Sequence, residues 1–190
     1  MAHTTQTVDI SEVPNGRAAM WWVIASEVVI FGGLIMSYLL FRMRYPQWGE
    51  YASHTSTPMG ALNTLVLLTS SLTVALAHKA ATEKNIAATK KYLWFTILGG
   101  VIFLIVKSVE YTTEISHGYT ITANNFWSFY YAMTGLHAIH VIAGMVAMFL
   151  VMQIDVNKGR NLHRVEMAGL YWHFVDIVWI FLFPLLYVAK

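Results

Sequence analysis

Cysteine is absent from the 190-residue sequence, which excludes disulfides, thiolate-held clusters and cysteine nucleophiles. Charge is scarce: Asp, Glu, Lys and Arg make up 12% of the chain, against about 25% in soluble domains. The net charge of +2 is spread over connecting segments and gives nucleic acid no basic patch to bind. Met1–Arg17 has no basic start, apolar core or cleavage site, so no signal peptide is expected. A phosphate loop, a nucleophile elbow, internal repeats and low-complexity tracts are all missing. What is abundant is apolar: 57% of residues are hydrophobic and the mean hydropathy is +0.53. That is the composition of an integral membrane protein.

Crossing hydrocarbon takes about 20 mainly apolar residues. Five segments qualify, at 18–41, 59–78, 92–111, 126–152 and 166–188. The expected fold is therefore all-α, a polytopic bundle of five transmembrane helices. Residues 1–17 form a cytoplasmic tail and 18–190 the five-helix domain. The second segment, with Asn63, Thr64, Thr69, Ser70, Ser71 and Thr73, is the least apolar and is expected inside the bundle. Gly32, Gly33, Gly99, Gly100, Ala143 and Gly144 are expected to let helices approach closely. With five spans, Arg17, Lys79, Lys84, Lys90, Lys91, Lys158, Arg160 and Arg164 share one side, while Arg42, Arg44 and Lys190 share the other. The basic-residue bias puts the N-terminus inside and the C-terminus outside. Trp48, Trp127, Tyr130, Tyr131 and Tyr187 are expected to form an outer aromatic belt.

Ionisable groups inside a span are costly unless they face protein, so they mark function or internal pairing. In the first span Glu27 follows Ser26 among Trp21, Trp22, Val28, Val29, Ile30 and Phe31. It reads as a proton-related carboxyl or as an acid bonding helices together. Lys107 and Glu110 are three apart, within pairing reach on a helix. His137 and His140 share a face of the fourth span; Glu166, His173 and Asp176 lie on roughly one face of the fifth. Carboxylates and imidazoles on facing helices can hold metals, but di-iron bundles need Glu-x-x-His on two helices, and within the five spans the acid–histidine spacings are Glu166-x6-His173 and His173-x2-Asp176; the i, i+4 histidine pair of zinc helices is missing as well. Haem ligation by His140 and His173 is the remaining metal alternative. The favoured reading is a buried polar network of Ser26, Glu110, His137, His140, Glu166, His173 and Asp176, with no metal, because buried polar groups must be satisfied.

Four ordered blocks carry a resemblance. They are Ser26-Glu27-Val28 with Phe31-Gly32-Gly33; Leu62 through Ser71 (LNTLVLLTSS); Glu110-Tyr111 with Thr134-Gly-Leu-His-Ala-Ile-His-Val141 and Gly144; and Glu166 with Tyr171-Trp-His-Phe-Val-Asp-Ile-Val-Trp179. From Arg17 to Tyr187 the chain resembles subunit III of the haem–copper respiratory oxidases in its five-helix bacterial form. In that family Glu27 matches a carbodiimide-reactive glutamate.

The resemblance implies a subunit of cytochrome c oxidase that carries no redox centre and no catalytic residue of its own. It implies haem and copper in partner chains, docking on subunit I with subunit II and other respiratory-complex subunits nearby, and bound phospholipid. It also implies residence in the bacterial inner membrane and support of an aa3-type enzyme that reduces oxygen and pumps protons. Longer members have two further N-terminal helices that wall a lipid cleft, and this chain does not match them. Lys107 stands where relatives often have Gln, and Gln153 and Ile154 replace a lipid-binding Arg. A quinol oxidase subunit III and a nitric oxide reductase accessory protein are the alternative relatives. A free-standing transporter or di-haem cytochrome is the alternative from another class.

Overall fold

A computed structural model describes residues 15–159 and 163–189. Of the expected tail, residues 1–14 lie outside the described residues; residues 15–17 already belong to the first helix. The elements are α1 (Asn15–Arg44), α2 (Trp48–Ser53), α3 (Thr57–Thr82), α4 (Ile86–Ser116), α5 (Asn125–Ile154) and α6 (His163–Phe183). A single 3-10 turn at Val156–Lys158 follows α5, and a π-turn at Pro184–Val188 follows α6. There is no strand among the described residues. Among the described residues five helices are long and apolar enough to cross a membrane, and each exceeds its expected span by a few residues at one or both ends.

Local chemistry sets the boundaries. Asn85 and Asn124 cap α4 and α5, each accepting a 3.1 Å hydrogen bond from the backbone three residues on. Pro58 sits in the first turn of α3, where its missing N–H costs nothing. Gly118, at φ +86°, closes α4: its N–H reaches Ile115 O and that of Tyr119 reaches Glu114 O, both at 3.0 Å. Pro184 cannot continue the α-ladder, so the chain widens into the π-turn. The carbonyls freed there are taken by other elements: Tyr38 donates to Leu185, Thr55 to Leu186 and Thr57 to Tyr187.

The helices assemble around α6, the most buried of the five. This corrects the expectation for the second span. α3 packs on α4 and α6, but Leu62, Leu65, Leu68 and Leu72 stay exposed. Its polar residues divide: Asn63 and Ser70 are buried, Thr73 meets Thr96 of α4, and three hydroxyls serve α6. Thr64 accepts from the Trp179 indole and Ser70 from the Trp172 indole, both at 3.0 Å. Ser71 lies 2.7 Å from His173 Nδ1.

Small residues do permit close approach where Trp172 enters. A Cβ at Gly144 would lie 2.8 Å from its ring and one at Gly100 would lie 2.9 Å away. Gly32 and Gly33 do not act this way; a Cβ at either meets nothing within 4 Å. α1 touches only one side of the bundle, through residues such as Phe31 and Tyr38, and leaves Trp22, Val29, Met36 and Met43 exposed.

The aromatic residues expected as a belt are mostly interior. Trp48, Trp127, Tyr130 and Tyr187 are buried and stack on Tyr38, Phe126 and each other, plugging the end of the bundle opposite Asn15. Tyr131, half-buried, donates to Tyr119 O. The phenols of Tyr38, Tyr130 and Tyr187 find hydrogen-bond partners inside the chain at this end, while the buried Trp127 Nε1 has none among the described residues and is held by ring contacts alone.

Candidate functional site

The polar side chains inside the spans do not form one network. They fall into four groups at different depths.

The first joins α1 to α5. Glu27 Oε2 lies 2.9 Å from His140 Nε2, a close but oblique approach, and both side chains are partly exposed. His140 Nδ1 lies 2.8 Å from the carbonyl of Leu136. A carbonyl only accepts, so Nδ1 carries a hydrogen. The approach is not aligned for a hydrogen bond, and Glu27 Oε2 has no hydrogen-bond partner among the described residues. Phe31 packs edge-on against the imidazole at 5.2 Å and covers one side. Ser26, expected in the buried network, is instead exposed and donates to the Val23 carbonyl one turn back. A serine hydroxyl in a helix satisfies itself locally when no other helix faces it.

The second group lies in α4. Lys107, Glu110 and Glu114 are all buried. The Lys107 ammonium donates to Glu110 Oε2 at 3.0 Å, Tyr130 Oη at 3.1 Å and Tyr187 Oη at 2.5 Å. It also sits 4.8–5.5 Å from the ring centres of Tyr130, Tyr111, Tyr187 and Trp179. This is an aromatic box around a cation, with three donated hydrogen bonds matching its three hydrogens. Below it His137, fully buried, lies between Phe103 and Trp179 with ring centres 5.3 and 5.2 Å away. Neither of its nitrogens has a hydrogen-bond partner among the described residues.

The third group joins α3 to α6: Ser71, His173 and the buried Asp176, whose carboxyl neighbours the same serine hydroxyl. The fourth is at the Asn15 end, where Arg17 of α1 forms an ion pair with Glu166 of α6. Glu166 is thus remote from the deeper groups.

His140 faces Glu27 while His173 faces Ser71. Among the described residues no three or more His, Asp or Glu side chains are placed to hold a metal ion. Several partners carried no signal in the sequence. Tyr130 and Tyr187, 23 and 80 residues from Lys107, reach it only through tertiary packing. Arg17 lies 149 residues before Glu166.

A family described as cytochrome c oxidase subunit III matches residues 4–189. The chain is similar to cytochrome c oxidase subunit 3 of Thermostichus vulcanus, 35% identical over 169 residues, covering 87% of this chain and 83% of that one. It is similar to the protein of the same name from Corynebacterium diphtheriae, 33% identical over 174 residues, covering 88% and 84%. A haem–copper oxidase subunit I+III from Aeropyrum pernix is 34% identical over 185 residues, covering 91% of this chain and 22% of that longer one.

Proposed function

Because this chain belongs to the cytochrome c oxidase subunit III family, we propose that it is the subunit III of a bacterial aa3-type oxidase. The family forms part of a haem–copper oxidase complex, and this member is a multi-pass membrane protein. In our reading it sits in the inner membrane with Asn15 toward the cytoplasm, docked on subunit I beside subunit II, with phospholipid bound around it. Haem and copper belong to those partners. A chain that carries subunits I and III in one polypeptide supports the docking, since fusion keeps two domains side by side. The relatives named cytochrome c oxidase subunit 3 favour cytochrome c over quinol as electron donor.

The contribution of this chain is to sustain proton supply to subunit I. The observation that carries this reading is the contact between Glu27 and His140. It sets a carboxyl beside an imidazole, 2.9 Å apart, between α1 and α5, each still partly exposed. α1 leaves most of its length uncovered, so a partner can reach this pair without the bundle opening. An acid and an imidazole this close pass a proton on only when a third group reaches them. In this reading subunit I provides it.

The test begins with the assembled complex, purified in mild detergent through a tag on this chain. Haem a spectra and a copper-containing catalytic chain are expected in the eluate; a chain that elutes with no haem protein contradicts the assignment. Glu27→Gln should leave the haem spectra intact and shorten sustained turnover. Loss of the haems themselves in that variant would contradict a role confined to proton supply.

A further inference from the structure

Five of the buried side-chain atoms that lack a hydrogen-bond partner among the described residues lie on three helices: the amide nitrogen and oxygen of Asn63 on α3, Glu110 Oε1 on α4, and both ring nitrogens of His137 on α5. All three residues are fully buried. The antiparallel packing of α3 on α4 sets the level of the first two. A Cβ at Gly99 would lie 2.7 Å from Ser70, and Thr73 lies 2.7 Å from Thr96. Two turns back along α3, that register brings Asn63 level with Val106 and Lys107, one turn from Glu110. From α5, His137 packs against Phe103 and Trp179, with ring centres 5.3 and 5.2 Å away. Trp179 lies 5.5 Å from the Lys107 ammonium and donates to Thr64, the neighbour of Asn63. The orphan atoms therefore share one level of the bundle, beside Lys107.

The groups around them are already committed. Lys107 directs its three hydrogens to Glu110 Oε2, Tyr130 and Tyr187. The Thr64 hydroxyl donates to the Gly60 carbonyl and accepts from Trp179. The Trp179 ring is tilted 31° from the plane of the imidazole, so it covers a face of His137 and leaves the nitrogens on the edge. What the orphans need is mixed. The Asn63 amide offers hydrogens and an acceptor, a neutral imidazole offers one N–H and one lone pair, and a carboxylate oxygen only accepts. The Lys107–Glu110 pair balances its own charge, so an uncharged ligand fits. At hydrocarbon depth an amide or imidazole left without a partner is strongly unfavourable.

We propose that this level of the bundle binds internal water, anchored by His137 and Asn63, with Glu110 Oε1 as a further acceptor. Water is small and uncharged and both donates and accepts, which matches the mixed needs of the site. Buried water typically makes about three hydrogen bonds to groups that otherwise lack partners. Bound here it joins α3, α4 and α5 beside the Lys107 box and steadies the carboxylate that orders that box. It also accounts for the residue type at position 137. Phe103 and Trp179 would accept a phenyl ring between them, whereas a bound water requires the imidazole nitrogens.

Two measurements on the complex isolated with this chain test the site. A density map at a resolution that shows ordered water should hold peaks at hydrogen-bonding distance from a His137 nitrogen and from the Asn63 amide. Infrared difference spectra are then recorded in heavy water with and without 18O, for the parent, for His137→Phe and for Asn63→Leu. His137→Phe keeps a ring between Phe103 and Trp179, and comparison with the parent cancels water held by other chains. The expected result is a set of O–D stretching bands that shift with 18O in the parent and are lost in the variants. Identical 18O-sensitive bands in the parent and both variants would overturn the proposal. So would a map in which the Asn63 amide bonds directly to Glu110 and the His137 N–H points into the face of Phe103, since side chains alone would then satisfy these atoms.

Discussion

The ammonium of Lys107 lies 2.5 Å from the phenol oxygen of Tyr187, 80 residues further along the chain. That contact fastens the middle of α4 to the π-turn at the end of α6. It also makes the widened turn part of a polar core, because Tyr187 exchanges hydrogen-bonding distance with Tyr130 as well, at 3.2 Å.

Removing the ammonium should therefore be severe. Lys107→Met leaves Glu110 charged and buried, and breaking a buried pair from one side costs about 3–5 kcal/mol. The double variant Lys107→Met/Glu110→Gln should recover most of that loss. Thermal unfolding of the detergent-solubilised complex measures both; equal destabilisation of the single and double variants would contradict the pairing.

The Arg17–Glu166 pair at the other end gives the contrasting case, since the Arg17 side chain is half exposed. Glu166→Gln should change stability by less than about 1 kcal/mol. A loss as large as that of Lys107→Met would show that this end is better shielded than its exposure indicates.

Two glycine substitutions should separate. Gly144→Ala drives a methyl to 2.8 Å from the Trp172 ring, and Trp172 is fully buried with its indole committed to Ser70. Overpacking of this kind costs about 1–3 kcal/mol. Gly32→Ala meets no atom of this chain and should be neutral within about 0.5 kcal/mol in the isolated chain. If Gly32→Ala instead disrupts assembly with subunit I, the open face of α1 is where the partner packs.

Glu27 and His140 should act as one unit in turnover. Glu27→Gln and His140→Gln each remove one member of the acid–imidazole pair, so the double variant should be no slower than the more affected single one. Strictly additive losses in a double-mutant cycle would mean that the two groups work separately.

Ser70→Ala removes the acceptor for the buried Trp172 indole. In membrane bundles such interhelical bonds average about 0.6 kcal/mol, so a small loss is expected, with Trp172→Phe at the same site costing more because it also leaves space. Urea or thermal unfolding of the complex resolves the two.

Helix number was readable from hydropathy because a bilayer demands length and apolar character in each span, and both are properties of contiguous residues. The same holds for the Lys107–Glu110 pair, three residues apart on one helix. The central position of α6 was not readable. The hydroxyl-rich α3 looked like the interior helix, yet its serines and threonines were serving the indoles of α6 from one side. Likewise, tryptophans and tyrosines near span ends suit a lipid interface as well as an internal plug, and only packing partners decide between them. For the polar residues, the sequence points to Glu27 as a separate carboxyl and to Glu110, His140 and His173 as members of one network. The structure separates them: Glu27 meets His140 across α1 and α5, Glu110 pairs with Lys107 on its own helix, and His173 meets Ser71 of α3.

From the sequence alone came the membrane class, the five spans and the resemblance to oxidase subunit III, since each depends on residue type and local order. The tertiary fold alone decided which carboxyl meets which imidazole, which rings enclose Lys107, and that Glu110 keeps one buried oxygen without a hydrogen-bond partner among the described residues. Those outcomes depend on where helices tens of residues apart cross. The crossings are set by the fit of Trp172 against Gly100 and Gly144, a matter of shape in three dimensions rather than of spacing along the chain.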